Sequence, residues 1–440
     1  MRIHRMTTFG GVAAMLLATL TPLTTAAEAA VTGTTAAEAA VIGTAVTGTV
    51  VAGTAVIGTA VTGTAVTGAA VAGTAPPATG AACPRAAGDL GPATCLLRAG
   101  AGGGDRPLPR VTAGRGPLTA RDLQEAYRLP SDWLGGGQTV AVVTPYDNIE
   151  AADELAEYRR ANGMPPCDDD FPCFRKINQR GGDTPPAPSP AWAVHSSVGL
   201  ELAAAACPNC KLLLVQADDA SLASMAAAVD QAAAQGATAL VPMWGVAEYA
   251  GQSTLAARFD HAPTTVVAPS GVGFNNGGRQ ILPAAYPSVI AVGGTQLYRD
   301  PATTRGWNES AWRDTASGCS MYALRPAWQP AGACGARRTV ADVAAVASAD
   351  TPVQVYSTSL GGWGTAAGTP IAAAFIAGVY GLAGTHSATP AGKRLYAASA
   401  YLNDITAGSN GACGGGRICT AVRGYDGPTG MGTPNGTGAF

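Results

Sequence analysis

The chain has 440 residues, of which only 13% are charged, and a formal net charge of −2. That balance offers no basic field for nucleic acid and no acidic tail to serve as a disordered partner arm. The length suits one large α/β domain with additions.

Residues 1–30 read as a secretory signal. Arg2, His4 and Arg5 make a positive start, Gly10 to Leu20 is apolar, and Ala27-Glu28-Ala29 is an A-x-A-like cleavage site. The apolar stretch is too short and interrupted for a membrane span, and no later segment holds about 18 unbroken apolar residues. Residues 31–82 are low complexity. From Ala40 to Thr74 a pentad, Ala-Val-x-Gly-Thr, recurs with small variations. Period five matches neither a helix face nor a strand face, and side chains this small form no core. A flexible spacer is expected, and a neutral repeat expansion and a wall-anchoring stalk both fit it.

Residues 83–117 form a short Cys-bridged segment rich in Gly and Pro, and a globular domain is expected over 118–440. There, buried strands are predicted at Thr139–Tyr146, Lys211–Ala217, Thr238–Met243, Thr265–Ala268 and Val289–Val292, which are short, apolar and as a set rich in Val. Helices are predicted at Glu150–Asn162, Trp192–Ala206 and Leu222–Gln235. The alternation implies an α/β fold, a doubly wound parallel sheet with helices on both faces.

Ten cysteines follow the signal. Local spacing suggests the pairs Cys83–Cys95, Cys167–Cys173, Cys207–Cys210, Cys319–Cys334 and Cys413–Cys419, and even parity in a secreted chain favours disulfides. Cys207-Pro-Asn-Cys210 could instead be a redox or metal box, but no second CxxC and no His at zinc spacing accompany it.

A set of motifs in order carries a specific resemblance. They are Leu123-Gln124-Glu125-Ala126-Tyr127, Gly137 to Val142, Cys207 to Lys211, Val292-Gly293-Gly294-Thr295, Gly318-Cys319-Ser320, Ala341-Asp342-Val343 and Gly424 to Pro434. Over about residues 118–440 the chain resembles the sedolisin (serine-carboxyl peptidase) family, whose fold is subtilisin-like. The resemblance implies a Ser nucleophile, a Glu base, an Asp orienting that Glu, and a second Asp at the oxyanion site. Its helix motif W-x-x-E-x-x-L-D falls on Trp192 to Gly199, with His195 in the Glu slot and Gly199 in the Asp slot. The Ser-Gly-Asp-x-Gly turn reads Ser270-Gly271-Val272-Gly273, with Val272 in place of the carboxylate. The Gly-Thr-Ser-x-x-x-Pro turn reads Gly364-Thr365-Ala366-Ala367-Gly368-Thr369-Pro370, with Ala366 in the nucleophile slot.

No substitute is evident. Glu201 lies about 200° around the helix from the Asp slot and is expected to face away. Ser359 reads as a loop serine, and Thr144 stands where a subtilisin-type Asp would end the first strand. His195, His261 and His386 read as partly buried or surface histidines. There is no G-x-S-x-G elbow and no H-E-x-x-H.

The resemblance also implies one structural calcium ion, held by the Asp404 and Asp426 side chains and the Ile405, Val422 and Gly424 carbonyls. Turn or N-cap aspartates are the alternative. The expected function is a secreted, monomeric, catalytically inactive sedolisin-like protein with peptides or a secreted protein in the former cleft. An active secreted serine-type endopeptidase and a cell-surface structural protein are the competing readings.

Overall fold

The structure is a computed structural model describing residues 96–108, 114–274 and 279–440. All of these fall within one compact unit, Ala75–Phe440. The expected signal, the repeat tract and the Cys83–Cys95 pair lie outside the described residues.

In chain order, strand β1 (Arg98–Gly104) precedes helix α1 (Ala120–Ala126), whose Thr119 N-cap and Asp122 form a reciprocal capping box. Then come β2 (Thr139–Pro145), α2 (Ala151–Ala161), β3 (Phe174–Asn178), α3 (Pro190–Ala206), β4 (Lys211–Ala217) and α4 (Leu222–Ala234). The short β5 (Ala239–Pro242) and β6 (Val246–Ala247) lead through a 3₁₀ segment to β7 (Thr265–Pro269) and β8 (Ile281–Leu282). β9 (Ile290–Arg299) and β10 (Trp307–Ala311) form a hairpin, as do β11 (Gly318–Leu324) and β12 (Arg337–Val340). β13 (Val343–Val346), β14 (Val353–Ser357), β15 (Gly362–Ala367), α5 (Thr369–Ala383), α6 (Ala391–Ala397), β16 (Leu402–Asn403) and β17 (Thr433–Pro434) complete the order.

The main sheet runs β10-β9-β7-β5-β2-β4-β3, with β13 also on β9, and is parallel except for β10. Alternate side chains feed two cores. Val140, Val142, Leu212, Leu214 and Val241 pack with α1, α3 and α5; Ala141, Val143, Leu213, Val215 and Leu240 pack with α4. The doubly wound expectation holds. The strand expected at Val289–Val292 runs on to Arg299, because its second half pairs with β10.

Helices α3 and α5 cross closely. A Cβ on Gly378 would lie 2.6 Å from Ala203 O and 2.7 Å from the Ala206 Cβ. Disulfides join Cys167–Cys173, Cys207–Cys210, Cys319–Cys334 and Cys413–Cys419, as expected. Among the described residues no helix is long and apolar enough to cross a membrane.

Candidate functional site

Helix α3 starts at Pro190, whose fixed φ suits the first turn and whose missing N–H is not needed there. The helix is then buried on nearly all sides. His195 is 3% exposed. Its Nδ1 is 3.2 Å from Ala191 O, its ring centre is 5.0 Å from that of Trp192, and its Nε2 has no partner among the described residues. Burial pulls its pKa down to about 4, so the imidazole is neutral near pH 7. One turn on, the space beside Gly199 is closed. A Cβ there would meet Val142 Cγ1 at 2.7 Å and Met243 Cγ at 3.0 Å, both in the apolar cluster that also holds Ala366.

Ala366 is the next-to-last residue of β15, just before the Gly368 turn and α5. Gly368 has φ +113°, a backbone that favours glycine. Ala366 is fully buried, and its backbone pairs with Ala99 of β1 on one side and Val353 of β14 on the other. The 270–273 turn is tied to this point. Thr369 Oγ1 donates to Gly271 O and accepts from Gly271 N, both at 3.1 Å. Val272 forms a bridge to Thr315, and Gly273 N donates to Asp314 O at 2.7 Å. The fold therefore brings the turn carrying Val272 against the start of α5, beside Ala366.

The other candidates sit elsewhere. Thr144 Oγ1 and Ser196 Oγ are 2.8 Å apart and buried. Ser359 is on an exposed 3₁₀ turn. His261 pairs with Asp230 at 3.0 Å, and His386 lies 3.0 Å from Thr238 Oγ1.

Glu201 faces away from the Gly199 side, as expected. Fully buried, it accepts from Tyr356 N at 3.1–3.2 Å, and burial raises its pKa well above the usual carboxylate range. The sequence reading missed its neighbour Glu154 on α2. That buried carboxylate accepts from Asn148 Nδ2 (3.0 Å), Ser357 Oγ (3.1 Å), Thr358 N (2.6 Å), Thr358 Oγ1 (2.7 Å) and Ser197 Oγ. Together the two acids fasten α2 and α3 to the end of β14. Five donor groups on four residues between Asn148 and Thr358 leave no local pattern that could have announced this.

Near the C-terminus, Asp426 is fully buried and Asp404 exposed. Asp426 Oδ1 accepts from Thr429 N and Oγ1, each at 2.9 Å, and its Oδ2 accepts from Val422 N at 3.0 Å. Asp404 Oδ2 accepts from Gly424 N at 2.9 Å. Burial, with a smaller push from Asp404, raises the Asp426 pKa to about 7. Among the described residues the Ile405, Val422 and Gly424 carbonyls receive no hydrogen bond, and no three His, Cys, Asp or Glu side chains gather into a metal cluster. Carboxylate and carbonyl oxygens of this kind are the donors that a hard cation takes.

No family profile matches the chain. It is 26% identical to kumamolisin from Bacillus sp. (strain MN-32) over 364 residues, which cover 72% of this chain and 62% of kumamolisin. It is 33% identical to sedolisin from Pseudomonas sp. (strain 101) over 172 residues, covering 34% of this chain and 28% of sedolisin. Among solved structures it matches Pseudomonas sedolisin, a serine-carboxyl proteinase complexed with two molecules of pseudo-iodotyrostatin. That match has a TM-score of 0.63 at 20% identity, over 73% of this chain and 96% of the other. The fold is that of sedolisin. The similarities support a peptidase-like family for the chain, which spans 62% of kumamolisin's length and 28% of sedolisin's.

Proposed function

We propose that this chain is a secreted sedolisin-like pseudopeptidase that keeps the body of a serine-carboxyl peptidase and uses its cleft, without hydrolysis, to hold a peptide or protein segment. The observation that carries this reading is Ala366, a buried methyl near the end of β15, just before α5, where the resemblance calls for a serine hydroxyl. The three positions that would assist it hold His195, Gly199 and Val272. In a serine hydrolase the loss of the nucleophile alone costs about a million-fold in turnover, and further losses add little because the groups act as a unit. His195 cannot compensate as a base, since no hydroxyl stands at 366 for it to deprotonate. The four disulfides among the described residues suit an oxidising, extracytoplasmic compartment.

The test is digestion of denatured casein by pure protein between about pH 3 and pH 8. No cleavage and no labelling by a covalent serine probe are expected. Cleavage that disappears when residue 195 or its groove neighbours are changed would establish the active endopeptidase instead.

The same reading includes one structural calcium ion held by Asp404, Asp426 and the Ile405, Val422 and Gly424 carbonyls. When bound, the ion would offset two neighbouring carboxylates and clamp the loop preceding β17 to the segment after β16. Chelation is expected to lower Tm, with calorimetry reporting one site that Asp426→Ala abolishes. An unchanged Tm with no binding heat removes the ion from the account.

A further inference from the structure

A cavity of about 250 Å³ opens at the other end of the elements that carry the former site. Its walls come from the segments leading into β7 and β9, the segment following α5, and α6. The turn with Val272 follows β7, whereas the cavity lies before that strand. Ala366 precedes α5, whereas the cavity lies after that helix. Fifteen residues of helix span about 22 Å, so the cavity and the cleft are separate places.

The walls are apolar at Pro263, Pro287, Pro390 and Trp328. A Cβ on Gly392 would meet Trp328 Cζ2 at 2.5 Å, so the indole lies hard against α6, two residues before Arg394. Arg394 also lines the cavity. Its Nε and Nη1 are buried and have no hydrogen-bond partner among the described residues. A buried cation is ordinarily paired, and its donors are costly to leave unmet. The neighbouring polar groups are already committed. Thr264 Oγ1 donates to Ala237 O at 2.7 Å, Ser288 Oγ to Phe259 O at 3.0 Å and Thr385 Oγ1 to Phe440 O at 3.1 Å. His261 Nε2 donates to Arg258 O at 2.8 Å and lies 3.0 Å from Asp230 Oδ1. The guanidinium is therefore the strong donor left for a guest.

One arginine suits a guest with one negative charge. The exposed Asp260 is on the same wall, and its carboxylate opposes a dianion more than a monoanion. The planar guanidinium matches the two oxygens of a carboxylate. The apolar walls and the volume suit a body the size of one aromatic ring. We propose that this cavity binds small carboxylates with an apolar body, the charge on Arg394 and the body against Trp328 and the prolines. The site is independent of whether the cleft hydrolyses anything.

Benzoate carries both features and tests the site on the full chain. Calorimetry should report one site, and Tm should rise with benzoate concentration. Benzamide, equal in size but uncharged, should bind about tenfold or more weakly. Equal binding of benzamide, or of inorganic phosphate, overturns the carboxylate assignment. No heat and no Tm change with benzoate up to about 10 mM overturns the site. Arg394→Met should lose the benzoate response while its own Tm stays level or rises, because the change removes a charge that has no partner. Ser387→Trp narrows the cavity with Arg394 in place and should lose the response too. Undiminished binding by either folded variant places benzoate elsewhere and overturns the site. The tripeptide Gly-Gly-Phe separates two sources of the carboxylate. A response to it as well as to benzoate supports a site that also takes peptide ends, and a response to benzoate alone supports one for free acids.

Discussion

Helix α3 presents two pairs of positions one turn apart, and they have had opposite fates. The pair 195 and 199 carries a neutral, half-satisfied imidazole and a bare glycine, with Val142 and Met243 pressed into the space a carboxylate would need. The pair 197 and 201 carries a serine bound to Glu154 and a buried acid bound to Tyr356 N. Both pairs are buried, so burial alone does not decide which polar groups persist. What differs is the neighbourhood. On the second side, backbone and hydroxyl donors from β14 and the turn after it require acceptors, and an unpaired buried donor costs about 1–3 kcal/mol. On the first side Val142 and Met243 close the gap.

Placing a carboxylate on the closed side should have the largest effect. Gly199→Asp must displace Val142 or Met243 and bury a charge, and a loss of about 4 kcal/mol is expected in urea unfolding. Adding Met243→Ala should return part of it. A loss below about 1 kcal/mol would mean that this face has room, and the contrast would fail.

Removing the acid from the side rich in donors comes next. Glu154→Ala strands Thr358 N and several side-chain donors, so a loss of about 3 kcal/mol is expected, with amide exchange accelerating at Thr358. An unchanged exchange rate there would show that the acid fastens nothing.

The third prediction concerns pH. A histidine with folded pKa about 4 against an ordinary 6.5 favours the neutral form in the fold. Its contribution is complete above the unfolded value and is lost as pH falls through the window down to the folded one, about 2 kcal/mol of it by pH 5. His195→Leu should therefore flatten the acid limb of the stability curve relative to the native chain. Parallel limbs would place the ring in water. The smallest effect is expected from Ala366→Ser, at about 1 kcal/mol or less of stability and no casein hydrolysis.

Much of this was legible. Short apolar runs such as Thr139–Pro145 and Lys211–Ala217 can be little else than central strands, and α3 announces itself by its length and apolarity. Glu201 could be placed on the opposite face by helical geometry alone. Its partner could not, because Tyr356 is 155 residues away. β1 was invisible for a different reason. Seven residues of Arg, Ala and Gly carry no periodic or propensity signal, and only the bare edge of β15 gives them a conformation. Glu154 was hidden because an acid in the first turn of α2 looks like an ordinary exposed dipole partner.

The crossing at Gly378 has a consequence for what can be built here. The distance between the helix bearing residues 195 and 199 and the helix that follows Ala366 is fixed by glycine and alanine contacts, with no reacting group taking part. Such a frame keeps its pitch whatever is mounted on it. It could therefore serve as a blank chassis onto which new reactive side chains are grafted, with their separation already set by the crossing.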